Sequence, residues 1–105
     1  MSKIRLTPKA FQDLKEIKTY IAVELQNPQA AMGIVSKITK SLKILEEHPL
    51  AGPSVEAKTG FSSDLRILVC AQYIAIYRVE NDFISVARII NAKQDYIRIL
   101  FGEQE

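Results

Sequence analysis

The stretch DLRILVCAQYIAIYRVENDFISVARIIN, residues 64–91, decides the fold. It contains three runs rich in β-branched and aromatic side chains, DLRILVC, QYIAIYRV and FISVARIIN, separated by the break at Cys70-Ala71-Gln72 and by Glu80-Asn81-Asp82. Connections this short join antiparallel neighbours, because a parallel crossover needs about a dozen residues or more. The expected unit is a three-stranded antiparallel meander.

Upstream, KIRLT alternates polar and apolar residues from Lys3 to Thr7, the pattern of a half-buried strand that adds to an edge of the sheet. Thr7 then serves as an N-cap with Pro8 at the first helical position. Phe11, Leu14, Ile17, Ile21 and Leu25 recur every three or four residues and predict a core-facing stripe, with Asp13, Lys15, Glu16 and Lys18 on the water side. Asn27 and Pro28 repeat the start signal. A second stripe follows through Ala31, Ile34, Val35, Ile38, Leu42 and Leu45 until His48-Pro49 ends it. Two long amphipathic helices joined by so short a turn fold back as an antiparallel hairpin that covers one face of the sheet.

Residues 49–63, PLAGPSVEAKTGFSS, show neither helical nor alternating periodicity and read as a loop. In KQDYIRILFG, Tyr96, Ile97, Leu100 and Phe101 fall at helical spacing and predict a short closing helix. The expected class is α+β: a helical hairpin on a small, mainly antiparallel sheet in the order β-α-α-β-β-β, with a short C-terminal helix. Apart from that last segment, nothing remains to cover the second sheet face, which is expected to be open.

With 105 residues, 48% of them hydrophobic, and no internal repeat, one domain over residues 1–105 is expected. A net charge of +2 is too mild to announce a nucleic-acid binder. The start MSKIRLTPKAF lacks the apolar core of a signal peptide, and no apolar run reaches the roughly 20 residues that span a bilayer, so a cytoplasmic location is expected. The one cysteine, Cys70, excludes an internal disulfide and a cysteine metal cluster, and its place at a strand end favours a buried, inert thiol. No His-x-x-x-His pair, GxGxxG or P-loop run is present, so neither metal nor cofactor is expected.

The ordered set TPKAFQDLKEIKTYI, SLKILEEHPLAG, LRILVCAQYIAIYRV and ISVARIINAKQDY resembles the RelE/ParE superfamily of toxins from bacterial toxin-antitoxin modules, over nearly the whole chain. One branch of that superfamily cleaves mRNA on the ribosome, and the ParE-like branch poisons DNA gyrase. The mRNA-cleaving members place an arginine in the central strand where this chain has Ile74, and a histidine or tyrosine at the end of the last strand, where it has Asn91-Ala92. ParE-like members end that strand in His, small residue, Arg, Arg, Asp. In this chain that motif reads Asn91, Ala92, Lys93, Gln94, Asp95: Asp95 matches, Lys93 is conservative, and Asn91 and Gln94 depart. The resemblance implies a toxin of the ParE type, neutralised by a cognate antitoxin that folds on binding, with gyrase as target.

Cleaving RNA without a metal needs a base, a cation for the phosphorane charge and an acid for the leaving oxygen. His48, the sole histidine, sits at a predicted helix end, where an imidazole meets the last carbonyls. The nucleolytic alternative therefore depends on Arg66, Arg88, Lys93 and Tyr96, with arginines clustered around the phenol to lower its pKa. The bland reading of the arginines is surface pairing with Asp64, Glu80, Asp82 or Asp95. Tyr77, alternating with Ile74 and Ile76, reads as a core aromatic. No catalytic set stands out. The favoured reading is a protein-gripping surface formed by Arg88, Asn91, Lys93, Asp95, Tyr96 and Arg98; a third reading keeps the fold and antitoxin binding without toxicity.

Overall fold

The computed structural model describes residues 3–60 and 62–102, leaving out the side chain of Phe101. Phe61 in the expected loop, and the place of the Phe101 side chain on the closing helix, therefore lie outside the described residues. The elements run β1 (Lys3–Leu6), α1 (Pro8–Thr19), a π-helical turn (Tyr20–Glu24), α2 (Pro28–Glu47), α3 (Val55–Thr59), β2 (Arg66–Cys70), β3 (Tyr73–Val79), β4 (Phe83–Asn91) and α4 (Tyr96–Phe101).

The four strands form one sheet in the order β1-β4-β3-β2. The meander is antiparallel as expected, and β1 joins it parallel to β4, pairing Lys3 with Phe83 through Leu6 with Val86. Thr7 ends the strand and starts the helix together. Its N–H donates to the Val86 carbonyl at 3.0 Å, its hydroxyl donates to the Ala87 carbonyl at 3.0 Å, and the same oxygen accepts the Ala10 N–H at 3.1 Å.

Between the two long helices and the sheet lies the larger core, built from Ala10, Ile38, Leu42, Leu45, Tyr77, Ile84, Val86 and Ile89 among others, with Leu14, Ile17 and Ile34 packed against it. The predicted stripe of α2 is thus the observed one. That of α1 is rotated: Phe11 is 61% exposed and Leu25 56%, while Asp13, expected in water, is buried on the core face beside Ala10. The inward positions are 10, 13, 14, 17 and 21, which also fit helical spacing.

The second sheet face is not open. Leu65, Ile67, Ile74, Ile76 and Ile90 form a second cluster with Val55 of α3, and Tyr96, Ile99 and Leu100 of α4 pack on it. The segment expected to be a loop thus contains a covering helix. Ser54 caps it by accepting the Ala57 N–H at 3.0 Å, and Gly60, with φ of 81°, closes it in the left-handed conformation. At five residues α3 is too short for periodicity to reveal.

Candidate functional site

β1 stops pairing with β4 at Val86, and a register shift between Ile76 and Tyr77 leaves Ala87 unpaired with β3. Beyond that point α1 takes over the edge of β4. The Asp13 carboxylate accepts the Ile89 N–H at 3.0 Å and both arms of the Arg88 guanidinium, Nε at 2.7 Å and Nη2 at 3.1 Å. An N–H left open at this edge would be costly, and the two-armed fork fixes the direction of the arginine. Asp13 is 7% exposed and Arg88 24%. The carboxylate beside it holds the Arg88 guanidinium above its ordinary pKa. Sequence position suggests for Arg88 a solvent-facing site residue or a pair with a nearby strand carboxylate; its partner instead lies 75 positions away.

A second knot ties the end of α2 to the sheet. The buried Tyr77 hydroxyl donates to the Pro49 carbonyl at 2.8 Å and accepts the Gly52 N–H at 3.0 Å. Arg66 donates through Nη1 to the carbonyls of Gly52 and Leu50. Glycine is required at position 52 by contact: a Cβ on Gly52 would lie 2.1 Å from the Ile67 carbonyl oxygen. Tyr77 is the core aromatic its spacing suggests, although nothing in the sequence announces the two backbone partners of its hydroxyl. Burial first, opposed by the Gly52 hydrogen bond, leaves its phenol above the ordinary tyrosine value.

The corner that follows β4 is a built turn. Ala92 N–H donates to the Gln72 carbonyl at 2.9 Å, tying the corner to the β2–β3 turn. The Asn91 side chain accepts the Lys93 N–H at 2.8 Å, and the Gln94 side-chain carbonyl accepts the Asn91 N–H at 3.2 Å. Asp95 caps α4 by accepting the Arg98 N–H at 3.3 Å. Asn91 and Asp95, both candidate site residues from sequence, therefore shape the turn, and what it presents outward is Lys93, Gln94 and Arg98.

Of the groups on which a nucleolytic reading depends, Arg66 and Arg88 are engaged within the fold, and Lys93 is exposed on the turn three residues before Tyr96. Tyr96 packs on the second apolar cluster. Arg66 is engaged by carbonyls, Arg88 by Asp13, and Arg78 by the expected Asp64 at 2.9 Å. His48 is exposed and contributes its backbone N–H to the Ile44 carbonyl at 2.9 Å. The Cys70 thiol is buried, and burial raises its pKa despite a hydrogen bond from Ser41, as suits an inert thiol. Among the described residues no cluster of His, Cys, Asp and Glu is arranged to hold a metal ion, and no helix is long and apolar enough to cross a membrane.

The family model for the ParE toxin of the type II toxin-antitoxin system parDE matches residues 4–96. The chain belongs to the ParE toxin family. The ParE branch of the sequence resemblance therefore stands. A provisionally named toxin of Sinorhizobium fredii, Y4kP, is 32% identical over 100 residues, covering 93% of this chain and 96% of that protein. A solved chain of the chromosomal ParDE TA system from P. aeruginosa has a TM-score of 0.73 at 25% identity, covering 89% of this chain and 98% of that one. In this ParE toxin the family match takes in the whole Asn91–Asp95 turn and stops at the first residue of α4.

Proposed function

We propose that this ParE toxin binds DNA gyrase through its C-terminal corner and stalls it without making or breaking a bond of its own, and that a cognate antitoxin silences it. The observation that carries this reading is the state of the guanidinium groups. Arg66, Arg78 and Arg88 are each held by a partner within the fold. Of the nucleolytic set, Arg66 and Arg88 are thereby occupied, and Lys93 is the one cation remaining to brace a phosphorane beside Tyr96. The Lys93 and Arg98 side chains, on a hydrogen-bonded turn and a capped helix, suit recognition by charge and shape.

Support for the antitoxin comes from the helical hairpin. Phe11, Val23 and Met32 are 61%, 63% and 69% exposed on the helical hairpin. Leu14 and Val35, flanked by Lys15 and Lys18, line a groove of about 290 Å³ between the helices. Exposed apolar groups rimmed by lysines suit an acidic amphipathic segment that orders on binding.

The test is induced expression in a bacterial host, with and without the co-encoded antitoxin. Growth arrest that the antitoxin relieves, with message ends intact by primer extension, is expected. Ribosome-dependent cleavage of messages would overturn the binding mechanism, and unimpeded growth would overturn toxicity itself.

A further inference from the structure

A second groove, of about 430 Å³, opens beside the corner, between the end of α1 and the ends of β3 and β4. Ile17 and Ile89, which belong to the larger core, and the edge of β4 at Ile90 line it. Two phenols enter it, Tyr73 from the first position of β3 and Tyr20 from the start of the π-helical turn. Tyr73 is 8% exposed, whereas Tyr20 is 53% exposed. Burial first, and the neighbouring Tyr20 second, hold the Tyr73 phenol above its ordinary value.

The groove carries an excess of negative charge. Asp13 and Arg88 both line it and neutralise each other through their two-armed pair. Glu16 adds a second carboxylate: it is exposed, accepts a hydrogen bond from Gln12 at 2.9 Å and also faces the Arg88 guanidinium, so the lining holds two carboxylates to one cation. No lysine lines it. On its far side Tyr20 also borders the adjoining groove along α1, where Glu24 and Lys15 oppose each other in charge. Tyrosines beside an excess of carboxylate are the setting in which a cation is held over a ring. A planar guanidinium can stack on a phenol and direct its fork to a carboxylate at once, which an ammonium cannot do as well.

We propose that this groove receives an arginine side chain presented by the protein that the toxin inhibits, held between the phenols of Tyr20 and Tyr73 and paired with Glu16. The groove shares Arg88, Asn91 and Gln94 with the C-terminal corner, so the arginine docks against the same contact surface. That the occupant belongs to the inhibited protein rests on the toxin reading above; that the groove takes a guanidinium does not.

Two measurements separate these parts. In the first, N-acetyl-arginine methylamide is titrated into the purified toxin, with N-acetyl-lysine methylamide and N-acetyl-norleucine methylamide as comparators, while the tyrosine ring resonances are followed by NMR. Saturable shifts of Tyr20 and Tyr73 are expected with the arginine probe at roughly millimolar to tens of millimolar, weaker with lysine and absent with norleucine. Loss of the shifts is expected in Glu16→Gln and in Tyr20→Ala, both at exposed positions. Equal shifts with norleucine, or none with arginine, overturn the site whatever the toxin does. In the second, the same two variants are compared with wild type for gyrase inhibition and antitoxin affinity. About tenfold weaker inhibition with unchanged antitoxin affinity is expected. Weaker antitoxin binding with intact inhibition would assign the arginine to the antitoxin and overturn the proposal. If wild type itself leaves gyrase untouched while the probe still binds, the gyrase reading and the second part fail together, and the guanidinium site stands.

Discussion

At the scale of single residues, Asp13 holds together two elements that its place among exposed-looking neighbours conceals. Asp13→Ala would leave the Ile89 N–H and a partly buried guanidinium without their acceptor. The expected loss is about 3 kcal/mol of folding stability, read as a lower urea midpoint at an unchanged slope. Asp13→Asn keeps an acceptor for the N–H but not the charge, and should lose roughly half as much. Local sequence points the other way at this position. The stripe through Phe11 and the stripe through Ala10 and Asp13 fit α1 equally well, and apolarity favours Phe11. A carboxylate on the core face becomes legible only with its partner, and Arg88 lies 75 positions away. The candidate site residues share this limit: Asn91 and Asp95 are visible in the sequence as polar groups at a strand exit, but their roles as turn former and helix cap depend on bonds to neighbouring N–H groups.

At the scale of elements, the strands, the two long helices and their caps are legible because each has a local cause. Thr7-Pro8 and Asn27-Pro28 mark helix starts, and β-branched runs mark strands. What escapes is α3, whose stabilisation comes from Val55 packing on the sheet, a contact that no local pattern encodes. Two substitutions test the element joints. Gly52→Ala would drive a methyl into the Ile67 carbonyl and push apart the knot around Tyr77, at an expected cost of about 3 kcal/mol in chemical denaturation. Ala71, at the first position of the β2–β3 turn, has φ of 59°, a conformation that a Cβ disfavours. Ala71→Gly should therefore raise stability by up to about 1 kcal/mol, visible as a higher thermal midpoint.

At the scale of the whole molecule, three groups of the larger core set an alkaline limit. Cys70, Tyr73 and Tyr77 are all held in their neutral forms, each chiefly by burial. Their folded pKa values lie above the unfolded ones, so between the two the folded state binds more protons than the unfolded state. Stability is then fully present below the unfolded values, and falls as pH rises from about 9 through the raised folded values. Cys70→Ala should make the first part of that decline shallower in urea titrations at successive pH values, and wild-type Cys70 should resist thiol reagents until the fold opens. On the same scale, one side of the molecule offers an apolar hairpin rimmed by lysines, and another a charged corner beside a tyrosine-lined groove. A silencing partner and an inhibited one would thus address adjoining surfaces of the toxin, which meet at Glu16 of α1 and at Tyr20.

Inhibition by binding at the C-terminal corner is tested most directly by a supercoiling assay with purified gyrase, relaxed plasmid and the purified toxin, alongside Lys93→Ala and an added antitoxin. Wild type should abolish supercoiling near stoichiometry, Lys93→Ala should be clearly weaker while folding normally, and antitoxin should restore activity. Full supercoiling at a large excess of folded wild-type toxin would contradict a gyrase-binding mechanism.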